Sequence, residues 1–309
     1  EVPVSDPDRL VHIVDDVPEL DGLTELAMVL VLYGFLDAGN SAAISARHLA
    51  GECGGGRVVA TFEVDEFHDY RARRPAMSFV RDHYEQYDAP RLVVRVLADD
   101  AGTPYLLMHG PEPDNKWEAF AAAVRHVVER LGVTRVIGLG AVPMAVPHTR
   151  PIAITHHANN PELLAADSPW RGELRIPSSA QSLLELRLGE TGHDAMGFVA
   201  HIPHYLAQLD FPEASVSLLE HVERAAGIAV DLTDLRNAAR ERDEEIASYL
   251  SANAEVLEVV QALEQQYDAF ARAEGNSLLA ENEPIPTGEE IGRQFEQFLA
   301  GLDGPESET

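Results

Sequence analysis

Over its first 230 residues the chain repeats one texture: an apolar run of strand length, then a stretch whose apolar residues recur at helical spacing. Strands are predicted at Leu10–Val14, Leu26–Tyr33, Arg57–Phe62, Leu92–Leu97, Tyr105–His109, Arg135–Leu139, Ile152–Thr155 and Gly197–Ile202. Helices are predicted at Ser41–Ala50, Asn115–Leu131, Ser179–Leu188 and Pro212–Gly227. The helix at 115–131 is the clearest: Trp117, Phe120, Ala121, Val124, Val127, Val128 and Leu131 form one apolar face, and Gly132 closes it. Such alternation constrains the chain to an α/β fold with a largely parallel sheet covered by helices on both faces.

Beyond residue 230 the texture changes. Residues 231–309 hold 19 acids and 5 arginines, a net of −14 against −15 for all the residues before them. Ile246, Leu250, Leu257, Val260, Leu263, Tyr267 and Phe270 recur at near-heptad spacing, with Asn253 in one seam position. The pattern predicts a long helix or a helix pair that packs on the body or on another subunit. A short helix is expected at Glu289–Leu302, and the tail "GPESET" is expected to be disordered. The division is therefore 1–230, an α/β domain, and 231–309, an acidic helical extension.

Charge and composition exclude several functions. A formal net charge of −29 disfavours nonspecific binding to nucleic acid or an anionic membrane, which needs clustered cations. No run of 18 uncharged apolar residues is present to span a bilayer. The segment Glu1–Leu10 is acidic and lacks an apolar core of signal-peptide type, so a cytoplasmic location is expected. Cys53 is the only cysteine, which excludes an internal disulfide and cysteine-based zinc sites. Lys116 is the only lysine, so Schiff-base chemistry has a single candidate. The remaining 22 cations are arginines, which fits either a high-GC coding bias or a salt-adapted surface.

The loop "GFLDAGNSA", 34–42, imitates a phosphate-binding loop, with Gly34, four residues, Gly39, then Asn40 where lysine belongs, then Ser41. Asn40 cannot neutralise a triphosphate. Asp37 would repel one, at about 1 to 4 kcal/mol for charges ~4 Å apart. A second possibility treats Ser41 as a nucleophile on a strand-to-helix elbow, although Ala43 stands where that motif has its second glycine. The third is structural: Asp37, Asn40 or Ser41 caps the helix while Gly34 and Gly39 shape the turn.

Histidines at 148, 156, 157, 201 and 204 raise the question of a metal site, but Pro203 breaks any regular spacing between His201 and His204, and no metal or cofactor is expected. The stretch "GLGAVPMAVPHTRP", 138–151, runs from a strand into a proline-stiffened loop. In an open α/β sheet the loops beyond strand C-termini line the crevice, which would bring the 34–41 and 140–150 loops to one cleft. Gly34, Asp37, Gly39, Asn40, Ser41, His148, Thr149 and Arg150 are its candidate residues.

Three segments, "GFLDAGNSA", "VIGLGAVPMAVPHTRPIAITHHANN" and "GFVAHIPHYLAQLDFPEASVSLLEHV", resemble in order the bacterial and archaeal branch of the proteasome assembly chaperone family, type two, over about residues 10 to 230. The resemblance implies a phosphorylase/hydrolase-like α/β fold, a mixed sheet sandwiched by helices. It also implies a protein-binding role: eukaryotic relatives hold proteasome α-subunits during ring assembly, and archaeal relatives form homo-oligomers. Such factors often end in a hydrophobic–tyrosine–any tripeptide; this sequence ends in Ser307-Glu308-Thr309, so that docking mode is not expected.

The functional expectation is thus a non-enzymatic homo-oligomer, a trimer being one admissible count, with a protein partner and no catalytic residues. Ile246, Leu250, Leu257, Val260, Leu263, Tyr267 and Phe270 are its candidate contacts. The alternative is a small-molecule binder or a hydrolase- or phosphorylase-like enzyme using the cleft between the 34–41 and 140–150 loops.

Overall fold

A computed structural model of the chain describes residues 7–51, 55–164, 173 and 175–277. In chain order its elements are β1 (Val11–Ile13), β2 (Ala27–Tyr33), α1 (Ser41–Ala50), β3 (Arg57–Phe62), β4 (Met77–Val80), β5 (His83–Tyr87), β6 (Val93–Ala98) and β7 (Pro104–Pro111). Then come α2 (Trp117–Leu131), β8 (Arg135–Met144), β9 (Ile154–Ala158), α3 (Ala180–Glu190), β10 (Ala195–Pro203), α4 (Pro212–Ala226), α5 (Thr233–Ala252) and α6 (Ala254–Ser277). The expected helix at Glu289–Leu302, the tail and Cys53 lie outside the described residues.

Eight strands form one mixed sheet in the order β1-β3-β6-β7-β2-β8-β10-β9. Its centre, β7-β2-β8-β10, is parallel, and the flanking pairs are antiparallel. Alternate residues of the central strands face opposite cores: Val29 and Val31 meet α1 and α4, whereas Met28 and Leu30 meet α2 and α3. On the α2 side Phe120 is fully buried, its ring 5.9 Å from those of Phe62 and Phe67.

Strand β8 runs past its expected end at Leu139 to Met144. Its pairing with β2 stops at Gly138, while pairing with β10 continues to Met144↔Pro203. Beyond the isolated bridge Asp37↔Ala141 only β10 flanks it, so Pro143 occupies a position where one ladder is already gone.

By contacts the chain divides into Glu1–Leu263 and Glu264–Thr309, a later break than the compositional change at 230. Leu235, Ile246, Leu250 and Val260 are buried in the same core as α1, α4 and the sheet, which draws α5 and the start of α6 into the first unit. Asn253, the seam interruption, separates the two helices: its backbone leaves helical geometry and its side-chain amide donates to Tyr249 O at 2.7 Å. Of the second unit, the described part is the end of α6, where Tyr267 is half-buried and Phe270 is exposed.

Ile246, Leu250, Val260 and Leu263 are buried within the first unit, so their apolar surface is already used inside the chain. Leu257, at 38 % exposure, and Phe270, at 44 %, remain on the outside. Among the described residues no helix is long and apolar enough to cross a membrane.

Candidate functional site

The loops after β2, β8 and β10 meet at one end of the sheet. Asp37 forms a backbone bridge with Ala141 of β8, tying the first loop to the strand that leads into the second. The third loop, 204–211, clamps the first: Gly39 N donates to Ala207 O at 2.8 Å, Phe211 N donates to Gly39 O at 2.9 Å, and Asn40 Nδ2 donates to Asp210 Oδ1 at 2.6 Å. It holds the second through Tyr205, whose oxygen accepts from the backbone N–H of His148 at 2.9 Å and lies 2.7 Å from His148 Nδ1.

Within this cluster the 34–41 loop is built for capping. The Asp37 carboxylate accepts from Ala42 N at 2.8 Å and Ala43 N at 2.9 Å, satisfying two of the free N–H groups that open α1. Burial pushes the Asp37 carboxyl up, against the opposing pull of backbone N–H groups from Ala42, Ala43 and Ser41. Gly39, at φ +68°, adopts a left-handed turn, and a Cβ there would lie 2.8 Å from Phe211 Cβ. Asn40 also has positive φ and directs its side chain to Asp210 rather than to the helix.

Ser41 is fully buried. Its hydroxyl donates to Ala38 O at 2.9 Å, and its carbonyl accepts from Ser45 Oγ at 2.8 Å and Ser215 Oγ at 2.9 Å. That arrangement ties α1 to α4 and shuts the hydroxyl away from any substrate, which removes the geometry an elbow nucleophile needs. Arg150, a candidate anion contact, turns back on Thr149, donating to its carbonyl at 3.2 Å and its hydroxyl at 3.3 Å.

The neighbouring crevice, between the C-terminal ends of β2 and β7, is filled by the chain itself. Arg73 reaches across it, donating to Glu112 O and pairing with Asp114 at 2.8 Å, so close to Gly34 that a Cβ there would lie 2.8 Å from Nη1. Lys116, the single lysine, pairs with Glu66 beside it. Two cavities among the described residues hold about 10 Å³ each, room for about one water, and neither touches Asp37, Asn40, Ser41, His148 or Arg150.

The other histidines do not converge. His201 lies 2.8 Å from Thr155 Oγ1, His157 pairs with Glu185 at 2.9 Å, and His156 packs edge-on to Phe198 and His221. Among the described residues no three His, Cys, Asp or Glu side chains are grouped to hold a metal ion.

Sequence patterning missed the β4–β5 hairpin, a separate two-stranded sheet inserted between β3 and β6. Phe79 and Tyr84, facing each other with ring centroids 5.1 Å apart, are 61 % and 73 % exposed; Met77, Val80 and Tyr87 are exposed beside them. Residues 70–91 carry five arginines and three acids, a net of +2 in a chain of −29. The available signal was "MSFVRDHYEQY", a β-prone run between the Pro75 and Pro90 turns.

Comparison with known proteins decides the family. A model of the PAC2 family matches residues 31–250, from β2 nearly to the end of α5. The chain belongs to the PAC2 family. This PAC2 chain is 45% identical to the Mycobacterium tuberculosis protein of unknown function Rv2714, with a TM-score of 0.80 over 86% of this chain and 93% of that one. A protein of unknown function from Corynebacterium glutamicum is 34% identical, with a TM-score of 0.79 over 85% and 98% of the two chains. The Mycobacterium tuberculosis proteasome-assembly chaperone homologue Rv2125 is 25% identical, with a TM-score of 0.67 over 76% and 100%. No curated protein matches the sequence. The PAC2 assignment agrees with the resemblance carried by the three sequence segments, and the mixed α/β sheet with its parallel centre is the fold of these relatives.

Proposed function

We propose that this PAC2 chain is a non-enzymatic protein-binding module of the assembly-chaperone type that works as a homo-oligomer, its copies meeting through the β4–β5 hairpin. The observation that carries this reading is the exposed Phe79–Tyr84 pair on a two-stranded sheet. An isolated hairpin is marginal in water, and a contiguous apolar patch of this kind is a contact surface seeking cover. A second copy supplies suitable cover, because the exposed aromatic pair can pack against its own equivalent across a two-fold contact. The cleft residues support the non-enzymatic part: Asp37 is engaged in capping α1, and Ser41 is buried.

The resemblance to the assembly chaperone family, together with the similarity to the proteasome-assembly chaperone homologue Rv2125, supports proteasome α-subunits as the partner class. Retention of the host's α-subunits on the immobilised full chain, measured against an immobilised unrelated acidic protein, tests this. Specific retention is the expected result, and equal retention on both surfaces would overturn the assignment of partner.

A further inference from the structure

Strand β9 is an edge of the main sheet and, among its described strands, the one with no buried residue. Beyond its ladder to β10 it is held by imidazoles on its two faces. On one face His156 packs edge-on against Phe198 of β10 and His221 of α4, with ring centroids 5.1 and 4.9 Å away, and Phe198 closes the triangle to His221 at 5.3 Å. The His221 ring is fixed by its Nδ1–H, which donates to Ser217 O at 2.7 Å. On the other face Thr155 Oγ1 lies 2.8 Å from His201 Nε2 of β10, and His157 has a carboxylate partner, Glu185 of α3, at 2.9 Å.

His156 and His201 both sit where a neutral ring is favoured. The charged and titratable groups that act on His156 are His221 and Arg224 from α4 and His157 from its own strand, none of them a carboxylate. Burial first, and then these neighbours, push its imidazole below the ordinary value. Burial alone pushes His201 down, and its neighbours across the two ladders, Val142 of β8 and Thr155 of β9, carry no charge to offset it. A strand that leaves the sheet returns both rings to water and to ordinary titration near pH 6.5. The paired strand is therefore fully stable above about pH 7 and loses stability as pH falls below ~6.5, where the released form binds more protons.

One end of the strand is stapled. Asn159, just past its C-terminal end, donates through Nδ2 to Glu185 O at 3.1 Å and His193 O at 2.9 Å, its Oδ1 accepts from Ala195 N at 3.1 Å, and its own N–H donates to Ala195 O at 3.0 Å. The other end continues back into the 145–153 connection, held by the bond from His201 N to Ala153 O at 2.9 Å and by Tyr205 at His148. We propose that β9 is an acid-released edge strand: protonation of His156 and His201 peels it from β10 starting at Ile154, with Asn159 as the hinge, and loosens the 145–153 connection beside the loop cluster.

The test is amide hydrogen exchange of residues 154–157 in the full chain, corrected for intrinsic rates, at pH 7.5 and pH 5.5, with residues 28–31 of β2 as the reference for global opening. Protection in β9 is expected to fall at pH 5.5 while that of β2 holds. In a His156→Phe, His201→Gln variant, whose side chains fill the same places without titrating, protection of β9 is expected to be equal at the two pH values. Unchanged protection in the wild type, an equal fall in β2, or the same fall in the variant overturns the switch. If the variant does not fold, the histidine ring resonances of the wild type decide the matter: midpoints below about 6.5 for both His156 and His201 support the switch, and an ordinary or raised midpoint for either overturns it.

Discussion

Replacing Asp37 with alanine distinguishes a helix cap from a cleft residue by stability alone. The substitution deletes both acceptors, at 2.8 and 2.9 Å, of the Ala42 and Ala43 N–H groups. Loss of a side-chain cap costs about 0.5 to 2 kcal/mol, and removing a negative charge from a helix N-terminus adds ~0.3 to 1 kcal/mol. Burial of the carboxylate works against both gains, as the raised carboxyl shows, so the net expectation is about 1 to 2 kcal/mol. With roughly 2 to 4 °C per kcal/mol for a unit of this size, Tm falls by about 2 to 8 °C. Urea unfolding of the full chain measures the free energy directly. Asp37→Asn, which retains one oxygen, should fall between wild type and alanine. A D37A variant as stable as the wild type, or more stable, would refute the capping account.

Two further outcomes follow from the packing and the charges. Phe120→Ala, which empties the fully buried position between Phe62 and Phe67, should cost ~3 to 5 kcal/mol in urea unfolding, whereas a loss below ~1 kcal/mol would mean the α2 core is packed otherwise. Burial would raise the Asp99 carboxyl, but N–H groups of Ala229, Thr103 and Ala101 outweigh it and hold it low. A depressed folded value means its stabilisation is full above about pH 4 and is lost as pH falls further, so the wild-type advantage over Asp99→Asn should shrink on acid titration of unfolding.

Seven strands of the main sheet were legible because each carries buried apolar residues, and burial writes an apolar run into the sequence; β9, an edge strand with no buried residue, lies at 154–158 rather than the expected 152–155. Strands β4 and β5 were not, since neither packs on the core and their aromatic residues alternate with arginine, aspartate and glutamate. The apolar spacing at 246–263 announced a buried face without saying against what; the answer is the same core that holds Leu218 and Val222 of α4. The capping role of Asp37 was one of the options visible in "GFLDAGNSA". Its clamps were not, because Ala207, Asp210 and Phe211 lie more than 160 residues away in the chain and reach the loop only through the sheet topology. Arg73 was hidden for the same reason, being one of 22 arginines until the fold sets it between Gly34 and Asp114.

The most direct test of self-association through the hairpin is the solution mass of the full chain by light scattering, compared with the Phe79→Asp, Tyr84→Asp variant. The account predicts a multiple of 33.7 kDa for the wild type and 33.7 kDa for the folded variant. A monomeric wild type, or a variant that retains the wild-type mass, would contradict it.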